Sequence, residues 1–459
     1  MSNLAMVLRD RVAAAVSRHG GVAPLVGAVW RLARERGPGA LVRRAWRAVR
    51  GRGEQLPAVP GWEVSAGAAA GAMVEDVAPT SPARWLERAP GVLLVGHPYL
   101  ISGRGEDVRT AAAALDTQSI PFQLRNTYDG GVENQPKLAN FPFFDRLSRD
   151  ARYRANLFML NADEMLPARA HLGAELFAGS YNIGCWAWEL SQFPDAWLPA
   201  LEVVDEIWAP SRFIQQAIAE RTAKPVIRMP LAVEPQESRL PRAHFGLPDD
   251  RFLFLFFFDF SSFVARKNPW AVIEAFERAF PETEREHLGL VIKLNGAQLR
   301  PDDYLAFLEH ASIRRPGVYL IDQVLSDPEI RGLMQGCDAF VSLHRAEGFG
   351  RGPAEAMYFG KPVIVTGYSG NLDFCSDLDC CLVDHTLVPV REGEYPFGKG
   401  QLWAEADVDQ ASWFMRRLVA DADYARTSAA RGAAAIREFN SAAAVGRRYH
   451  ARLARLGLI

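Results

Sequence analysis

Two sets of short apolar runs, each alternating with amphipathic stretches, follow one another along the chain from Gly91 onward. This rhythm is typical of a parallel β-sheet covered by helices. The predicted strands are 92–95, 122–124, 157–160, 181–186, 206–209 and 226–229 in the first set, and 252–258, 290–294, 318–321, 339–343 and 363–365 in the second. Run 252–258 contains only Phe and Leu, which indicates a strand buried on both faces. The pattern predicts an α/β protein with two Rossmann-like domains facing across a cleft, joined near residues 232–248.

Composition agrees with an ordinary globular protein. The chain has 459 residues, 49% hydrophobic content and a net charge of −2, which fits two domains. Its five cysteines are odd in number and lack the spacing of metal ligands, so we expect a reducing compartment, the cytoplasm. Arg9, Asp10 and Arg11 interrupt any signal-peptide core. No apolar stretch approaches the roughly 20 residues that a spanning helix needs.

The N-terminal segment differs from the rest in charge. Residues 1–52 carry eleven arginines against two acids, a net charge of +9, which leaves −11 for the remainder. Apolar residues recur among the arginines at helical spacing. Such a segment could lie on an anionic membrane surface, or form a helical hairpin that packs on the protein or pairs two copies. Both alternatives stay open; nucleic acid is not an expected partner, because no folded nucleic-acid-binding motif accompanies the arginines.

The most informative segment is 347–355, in which Glu347 and Glu355 flank a glycine-rich turn. The turn follows the predicted strand 339–343 and leads into a predicted helix, and this arrangement presents a ligand at the carboxyl edge of a sheet. A plainer interpretation makes Glu355 a first-turn acid that complements the helix dipole after Pro353, and Glu347 a solvated loop residue.

The pattern E-x7-E, followed by A-M-x-x-G-K-P-V-I-V-T-G-Y-S-G-N, resembles the nucleotide-sugar site of retaining GT-B-fold glycosyltransferases, in particular family 4. The resemblance covers roughly residues 91–459. It implies that Glu347 lies against the donor sugar and Glu355 on the ribose hydroxyls. The remaining donor-binding positions that it implies are Gly348, Phe349, Gly350, Ser369, Gly370 and Asn371.

Charge, composition, the strand pattern and the resemblance together give the domain limits. We expect a basic helical segment at 1–55, a linker at 56–90, an N-terminal acceptor domain at 91–235 and a C-terminal nucleotide-sugar-binding domain at 236–439. In GT-B enzymes the last helix commonly crosses back, so residues 440–459 are assigned to the first domain by analogy.

Departure of a diphosphate requires positive charge, because negative charge develops on it in the transition state. Segment 266–269, Arg-Lys-Asn-Pro, follows the Phe-rich strand, with Asn268 as the predicted helix cap and Pro269 at the first helical position. Lys267 resembles the phosphate lysine of the family. Where the family has an Arg five residues earlier this chain has Ser262, so Arg266 or Arg345 is expected to supply the second positive charge.

Further candidates follow the other strands. Gly103 and Gly105 allow close backbone approach before a helix that we expect to begin near Glu106. Gln323 and Val324 follow strand 318–321 at the level where the family binds the base. The candidate acceptor-binding residues are Trp186 and Trp188, which core packing explains almost as well, and Asn161 and Asp163. Glu189 stands where many relatives have a histidine and is the fourth candidate catalytic residue, with Glu347, Lys267 and Arg266.

The resemblance therefore predicts a hexosyltransferase that moves a sugar, with mannose as a candidate, from a nucleotide sugar to a polysaccharide or lipid-linked glycan. We expect no cofactor and no metal, and interpret the acidic pairs at 377–379 and 407–409 as surface residues. The location expected is cytoplasmic, and a peripheral contact to the membrane through residues 1–52 stays open beside the helical hairpin. Two alternatives remain, a nucleotide-sugar epimerase of the same fold and a catalytically inactive GT-B-like scaffold or glycan-binding protein.

Overall fold

A computed structural model describes residues 85–100, 103–128, 141–310 and 315–459. The predicted basic segment at 1–55 lies outside these ranges, as does the predicted linker up to residue 84. None of the helices within the described ranges is long and apolar enough to span a bilayer.

The first half of the described chain forms a six-stranded parallel sheet in the order β2-β1-β3-β4-β5-β6. Its strands are β1 (Ala89–Gly96), β2 (Phe122–Asn126), β3 (Tyr153–Phe158), β4 (Tyr181–Cys185), β5 (Glu206–Ala209) and β6 (Val226–Arg228). The helices are α1 (Gly103–Thr117), α2 (Ala162–Leu172), α3 (Ala174–Phe177) and α4 (Arg212–Ala219). Both faces of β1 are buried from Val92 onward, as expected for a strand with helices on each side.

The second half forms another six-stranded parallel sheet, in the order β12-β11-β10-β7-β8-β9. Its strands are β7 (Phe252–Asp259), β8 (Leu288–Asn295), β9 (Val318–Asp322), β10 (Ala339–Ser342), β11 (Val363–Thr366) and β12 (Cys381–Val383). The helices are α5 (Val264–Lys267), α6 (Pro269–Ala279), α7 (Pro301–Glu309), α8 (Asp327–Gly336) and α9 (Arg351–Tyr358). The predicted architecture of two Rossmann-like domains is confirmed.

An antiparallel hairpin, β13 (His385–Pro389) and β14 (Leu402–Ala406), was not predicted. Its strands contain exposed apolar residues, with Leu387 52% and Leu402 42% exposed, so no continuous buried run marks them. The hairpin is attached to the second domain by a hydrogen bond from the Ala404 N–H to the Arg345 carbonyl, 3.0 Å long.

Three helices end the chain, α10 (Val408–Ala420), α11 (Ala422–Asn440) and α12 (Ala442–Arg455). Helix α12 lies on the first domain, where the rings of Tyr449 and Trp208 are 4.7 Å apart between centroids. Arg452 pairs with Glu206, a carboxylate on β5 that is fully buried. The Gly91 N–H donates to the Leu458 carbonyl over 3.0 Å, so the chain end is tied to β1.

One local prediction is wrong. Asn268 has a left-handed backbone (φ 51°) and makes no side-chain cap at the start of α6, although Pro269 does occupy the first turn. Its amide Nδ2 instead donates to the Glu405 carboxylate on β14 over 2.8 Å. The Asn268 side chain, which was predicted to cap α6, therefore binds the hairpin instead.

Candidate functional site

The glycine-rich turn between β10 and α9 is held in place by the segment that follows β11. The Glu347 N–H donates to Ser369 Oγ over 2.8 Å, and the Gly370 N–H donates to the Glu347 carbonyl over 2.9 Å. A Cβ on residue 370 would lie 1.9 Å from the Gly348 carbonyl oxygen, so only glycine fits. Gly350 has φ +95°, which also favours glycine. The two predicted donor-binding segments are thus packed into one unit.

Glu347 and the cations predicted at 266 and 267 form one buried cluster. Oε1 of Glu347 contacts Lys267 Nζ, and Oε2 lies 3.2 Å from Arg266 Nη1. Arg266 is 4% exposed and also donates to the Ala346 carbonyl over 2.8 Å. These contacts bring together α5 and the turn after β10, which are about 80 residues apart in sequence.

Opposite charges in this cluster stabilise each other's ionised forms. Burial raises the pKa of Glu347, but the positive charges of Lys267 and Arg266 outweigh that effect and hold the pKa well below its usual range. Burial lowers the pKa of Arg266, and the charges of Glu347 and Glu189 more than reverse this. Burial also lowers the pKa of Lys267, against the charge of Glu347. The cluster therefore holds an ionised carboxylate between two cations.

His344, which the sequence analysis did not single out, orients Asn371. Its Nε2 lies 3.1 Å from Asn371 Oδ1, while Asn371 Nδ2 donates to the Thr366 carbonyl over 3.0 Å. Nε2 must then carry the proton, and Nδ1 can accept from Ser342 Oγ, 3.1 Å away. Burial lowers the pKa of His344 to about 4, so the imidazole is neutral. The only sequence signal for His344 is its position as a polar residue directly after the predicted strand 339–343.

Arg345, one of the two alternatives for the second cation, faces the hairpin. Its Nε donates to Glu405 over 2.8 Å, and its Nη1 donates to the Ala265 carbonyl over 2.9 Å. Its guanidinium carbon lies 5.4 Å from the centroid of the Trp403 ring. Arg345 is thus neutralised by Glu405, whereas Arg266 lies with Lys267 at Glu347.

Glu355 lies on α9 beside an ion-pair network that joins the two domains. Its Oε1 is 3.7 Å from Arg351 Nη1, and Arg351 also contacts Asp107 on α1. A second pair, Arg109 with Asp327, joins α1 to α8 over 3.4 Å. Burial raises the pKa of Glu355 to about 7, despite the opposing charge of Arg351. A carboxyl that titrates near neutrality can change its hydrogen-bonding role over the physiological range.

Glu189, from the first domain, reaches the cluster through a tyrosine on the loop of the hairpin. Tyr395 Oη donates to Glu189 Oε2 over 2.6 Å, and the guanidinium carbon of Arg266 lies 5.8 Å from the Tyr395 ring centroid. The charge of Glu189 contributes to the raised pKa of Arg266, and it partly offsets the lowering of the Lys267 pKa by burial. All four predicted catalytic residues therefore lie in one region.

The candidate acceptor residues are placed differently. Trp186 and Trp188 are 0% and 2% exposed, so in this conformation their rings are part of the core and offer no face to a sugar. Trp188 Nε1 donates to the Gln192 carbonyl over 2.8 Å. Asn161 caps α2, and its Oδ1 accepts from the Ala187 N–H over 3.2 Å. Asp163 is exposed in the first turn of α2.

The remaining candidates lie at the edges of the two sheets. Helix α1 begins at Gly103, three residues before the expected start. A Cβ at Gly105 would lie 1.8 Å from the Leu100 carbonyl oxygen, so tight packing of α1 on the preceding turn explains this glycine. Gln323 and Val324 follow β9, an edge strand, and are exposed. Their predicted role in binding the nucleotide base stays a prediction.

The acidic pairs interpreted as surface residues include a helix cap. Asp407 is exposed and accepts a hydrogen bond from the Gln410 N–H over 3.0 Å at the start of α10. Within the described ranges, no three His, Cys, Asp or Glu side chains lie close enough together to hold a metal ion.

Comparisons with known proteins bear on the family and the fold. Residues 242–386 match the family model described as glycosyl transferases group 1. No curated protein matches the chain in sequence.

Three solved structures share the fold. An Anabaena HepE structure in complex with UDP and glucose has a TM-score of 0.57 and 14% identity, and the match covers 80% of this chain and 100% of that one. Sucrose-phosphate synthase from Thermosynechococcus elongatus has a TM-score of 0.56 and 14% identity, with 80% and 99% coverage. A glycosyltransferase from Rickettsia africae has a TM-score of 0.56 and 12% identity, with 80% and 98% coverage. The family match and the fold together confirm the predicted class of enzyme, a glycosyltransferase.

Proposed function

We propose that the protein transfers a hexose, with retention of anomeric configuration, from a nucleoside diphosphate sugar to a glycan. The observation that carries the proposal is the buried cluster in which Lys267 and Arg266 meet Glu347 beside the glycine-rich turn. Two desolvated cations next to a loop of backbone amides suit a diphosphate leaving group, because each interaction is stronger away from water.

In the proposed reaction, Lys267 and Arg266 stabilise the negative charge that develops on the departing diphosphate. The N-terminus of α6, which follows Lys267 directly, adds a partial positive charge. Glu347 would position the sugar and Glu355 the ribose hydroxyls. Glu189, on the opposite domain, would accept a hydrogen bond from the acceptor hydroxyl, which attacks from the face that the phosphate leaves.

For the sugar and the acceptor, we propose the chemical class of each. HepE has been crystallised with UDP-glucose, so UDP-glucose is the first donor to test, with GDP-mannose as the second. The proposed acceptor is a polysaccharide or a lipid-linked glycan. A lipid-linked acceptor would suit a cytoplasmic enzyme that meets an anionic membrane through its basic residues 1–52, and we propose that no metal is needed.

The test is turnover of a panel of UDP- and GDP-sugars with glycan acceptors, in EDTA and again with magnesium. We expect transfer from one donor in EDTA, with the product retaining the anomeric configuration of the donor by NMR. An inverted product would contradict the retaining mechanism, and release of nucleotide with a rearranged free sugar and no transfer would favour an epimerase. A protein that neither binds nor consumes any nucleotide sugar would favour the scaffold.

A further inference from the structure

The hairpin formed by β13 and β14 contributes one residue to the site that the glycosyltransferase motifs do not account for. Its connecting loop, residues 390–401, carries Tyr395 across to the first domain, where the phenol donates to Glu189 Oε2 over 2.6 Å. Within the described part of the chain, Glu189 Oε1 has no hydrogen-bond partner. One oxygen of the proposed acceptor-binding carboxylate is thus fixed and the other is left for a ligand.

The loop is anchored on the same stretch of the first domain at two further points. The Gln192 N–H donates to Gln401 Oε1 over 2.9 Å, and Gln401 Nε2 donates to the Phe397 carbonyl over 2.9 Å. The Phe397 ring lies 5.7 Å from that of Trp197. Because both anchors lie within six residues of Tyr395, on its C-terminal side, the phenol is delivered to Glu189 by a fixed frame rather than by a free side chain.

The base of the hairpin is joined to the cation cluster. Glu405 on β14 binds Arg345 and Asn268, the residues next to Ala346 and Lys267 in sequence. The Tyr395 ring packs edge to face on Phe263, 5.0 Å between centroids, directly before α5. One element therefore contacts the two segments that carry the proposed donor cations, and also the proposed acceptor carboxylate.

The phenol remains a hydrogen-bond donor at working pH. Burial, reinforced by the charge of Glu189, raises the pKa of Tyr395 well above its ordinary value. A protonated phenol beside a carboxylate can only donate, so it fixes the Glu189 oxygen as an acceptor.

We propose that Tyr395 is a positioning residue of the acceptor side, which holds Oε2 of Glu189 so that Oε1 accepts a hydrogen bond from the attacking hydroxyl. The inference rests on the proposed function and deepens it. It makes the hairpin part of the acceptor site and assigns that site to polyhydroxylated ligands, whose hydroxyls can donate to Oε1. Tyr395 acts through Glu189 and does not itself touch the reacting atoms.

The test uses the full-length protein and the nucleotide sugar that it turns over, UDP-glucose first, with water as the acceptor. Tyr395→Phe keeps the ring packing and removes only the donor. We expect hydrolysis to fall about tenfold in kcat, the loss typical of one hydrogen bond to a charged group, with the KM of the donor unchanged. Tyr358→Phe, a partly buried tyrosine on α9 away from Glu189, is the matched control and should behave as wild type.

A double-mutant cycle separates positioning from general structural damage. If Tyr395 acts through Glu189, Tyr395→Phe combined with Glu189→Gln should be no slower than Glu189→Gln alone. Additive losses, unchanged hydrolysis in Tyr395→Phe, or faster hydrolysis would each overturn the inference and leave the proposed function intact. A wild-type protein that turns over no nucleotide sugar would instead contradict the proposed function, and the inference would fall with it.

Discussion

At the scale of single residues, the site depends on charges that are buried in pairs. Glu347 is 9% exposed and Arg266 4% exposed, so each needs the other's charge to remain ionised away from water. A diphosphate that contacts Lys267 and Arg266 would provide a second negative partner for the same cations. In the proposed reaction the two cations would be in place before a donor arrives, which would reduce the reorganisation needed for catalysis.

Lys267→Ala should lower kcat for donor turnover by at least about a hundredfold, the scale seen when one stabilising group for a developing anion is removed. The circular dichroism spectrum should stay native, since Arg266 still pairs with Glu347. Arg447→Ala, an exposed arginine on α12, removes the same charge elsewhere and should leave turnover unchanged. Near-normal activity in Lys267→Ala would remove this residue from the site.

Affinity for a nucleotide sugar should rise with pH because Glu355 has a pKa of about 7. Only the ionised carboxylate accepts hydrogen bonds from both ribose hydroxyls, and it is the minor form at pH 6 and the major form at pH 8. The apparent Kd should therefore fall about tenfold between these pH values by calorimetry. Glu355→Gln should give a flat profile over this range; a profile that keeps the wild-type slope would assign the titration to another group.

At the scale of elements, the turn after β10 and the segment after β11 are hydrogen-bonded into one structural unit. The Gly348 carbonyl accepts from Ser211 Oγ over 2.6 Å, and Ser211 is the cap residue of α4 in the first domain. The turn is thus in contact with both the second sheet and the opposite domain. Its conformation depends on glycines that leave space for neighbouring backbone.

Gly370→Ala should damage the site more than the fold. A Cβ there would meet the Gly348 carbonyl at 1.9 Å, and overpacking of this kind costs about 1–3 kcal/mol or displaces the loop. We expect donor turnover to fall at least about tenfold, with a modest loss in melting temperature. Gly336→Ala is the matched control, because its Cβ would meet nothing closer than Arg242 Cγ at 3.8 Å. Equal activity in the two variants would contradict the packing argument.

The elements also show what sequence could and could not predict. Runs such as 252–258 predicted the parallel strands, because a strand buried on both faces must be apolar throughout. The hairpin escaped prediction because β13 has no buried residue and β14 has only three, so neither strand gives a continuous apolar run. Several of its contacts are polar and reach distant residues, namely Arg345, Asn268 and Glu189. Tyr395 and His344 also escaped prediction. Each meets its partner, Glu189 or Asn371, only when separate segments come together in the fold.

At the scale of the whole molecule, the two domains and the last helix are joined by polar contacts as well as by packing. Arg228 binds Asp373 over 2.6 Å between the domains, in addition to the pair of Arg351 with Asp107. Helix α12 completes the first domain through Arg452, whose partner Glu206 also accepts from Trp208 Nε1 over 2.6 Å. The C-terminal helix is therefore part of the first domain's stability.

Arg452→Ala should destabilise the protein by about 3 kcal/mol, because it leaves the fully buried Glu206 without its cation. The melting temperature should fall by several degrees in a thermal denaturation experiment. Arg455→Ala, exposed near the end of the same helix, should change it by less than a degree. If the two variants melted together, the Glu206 pair would not contribute to stability.

The central claim, that the cluster of Lys267, Arg266 and Glu347 binds the diphosphate of a nucleotide sugar, is tested most directly by calorimetry without metal. UDP-glucose and GDP-mannose would be titrated into wild-type protein and into Lys267→Ala, with Arg447→Ala as the control. The account predicts that one donor binds to the wild type and to the control, and at least about tenfold more weakly to Lys267→Ala. Equal binding to all three proteins, or no binding of any nucleotide sugar to the wild type, would contradict it.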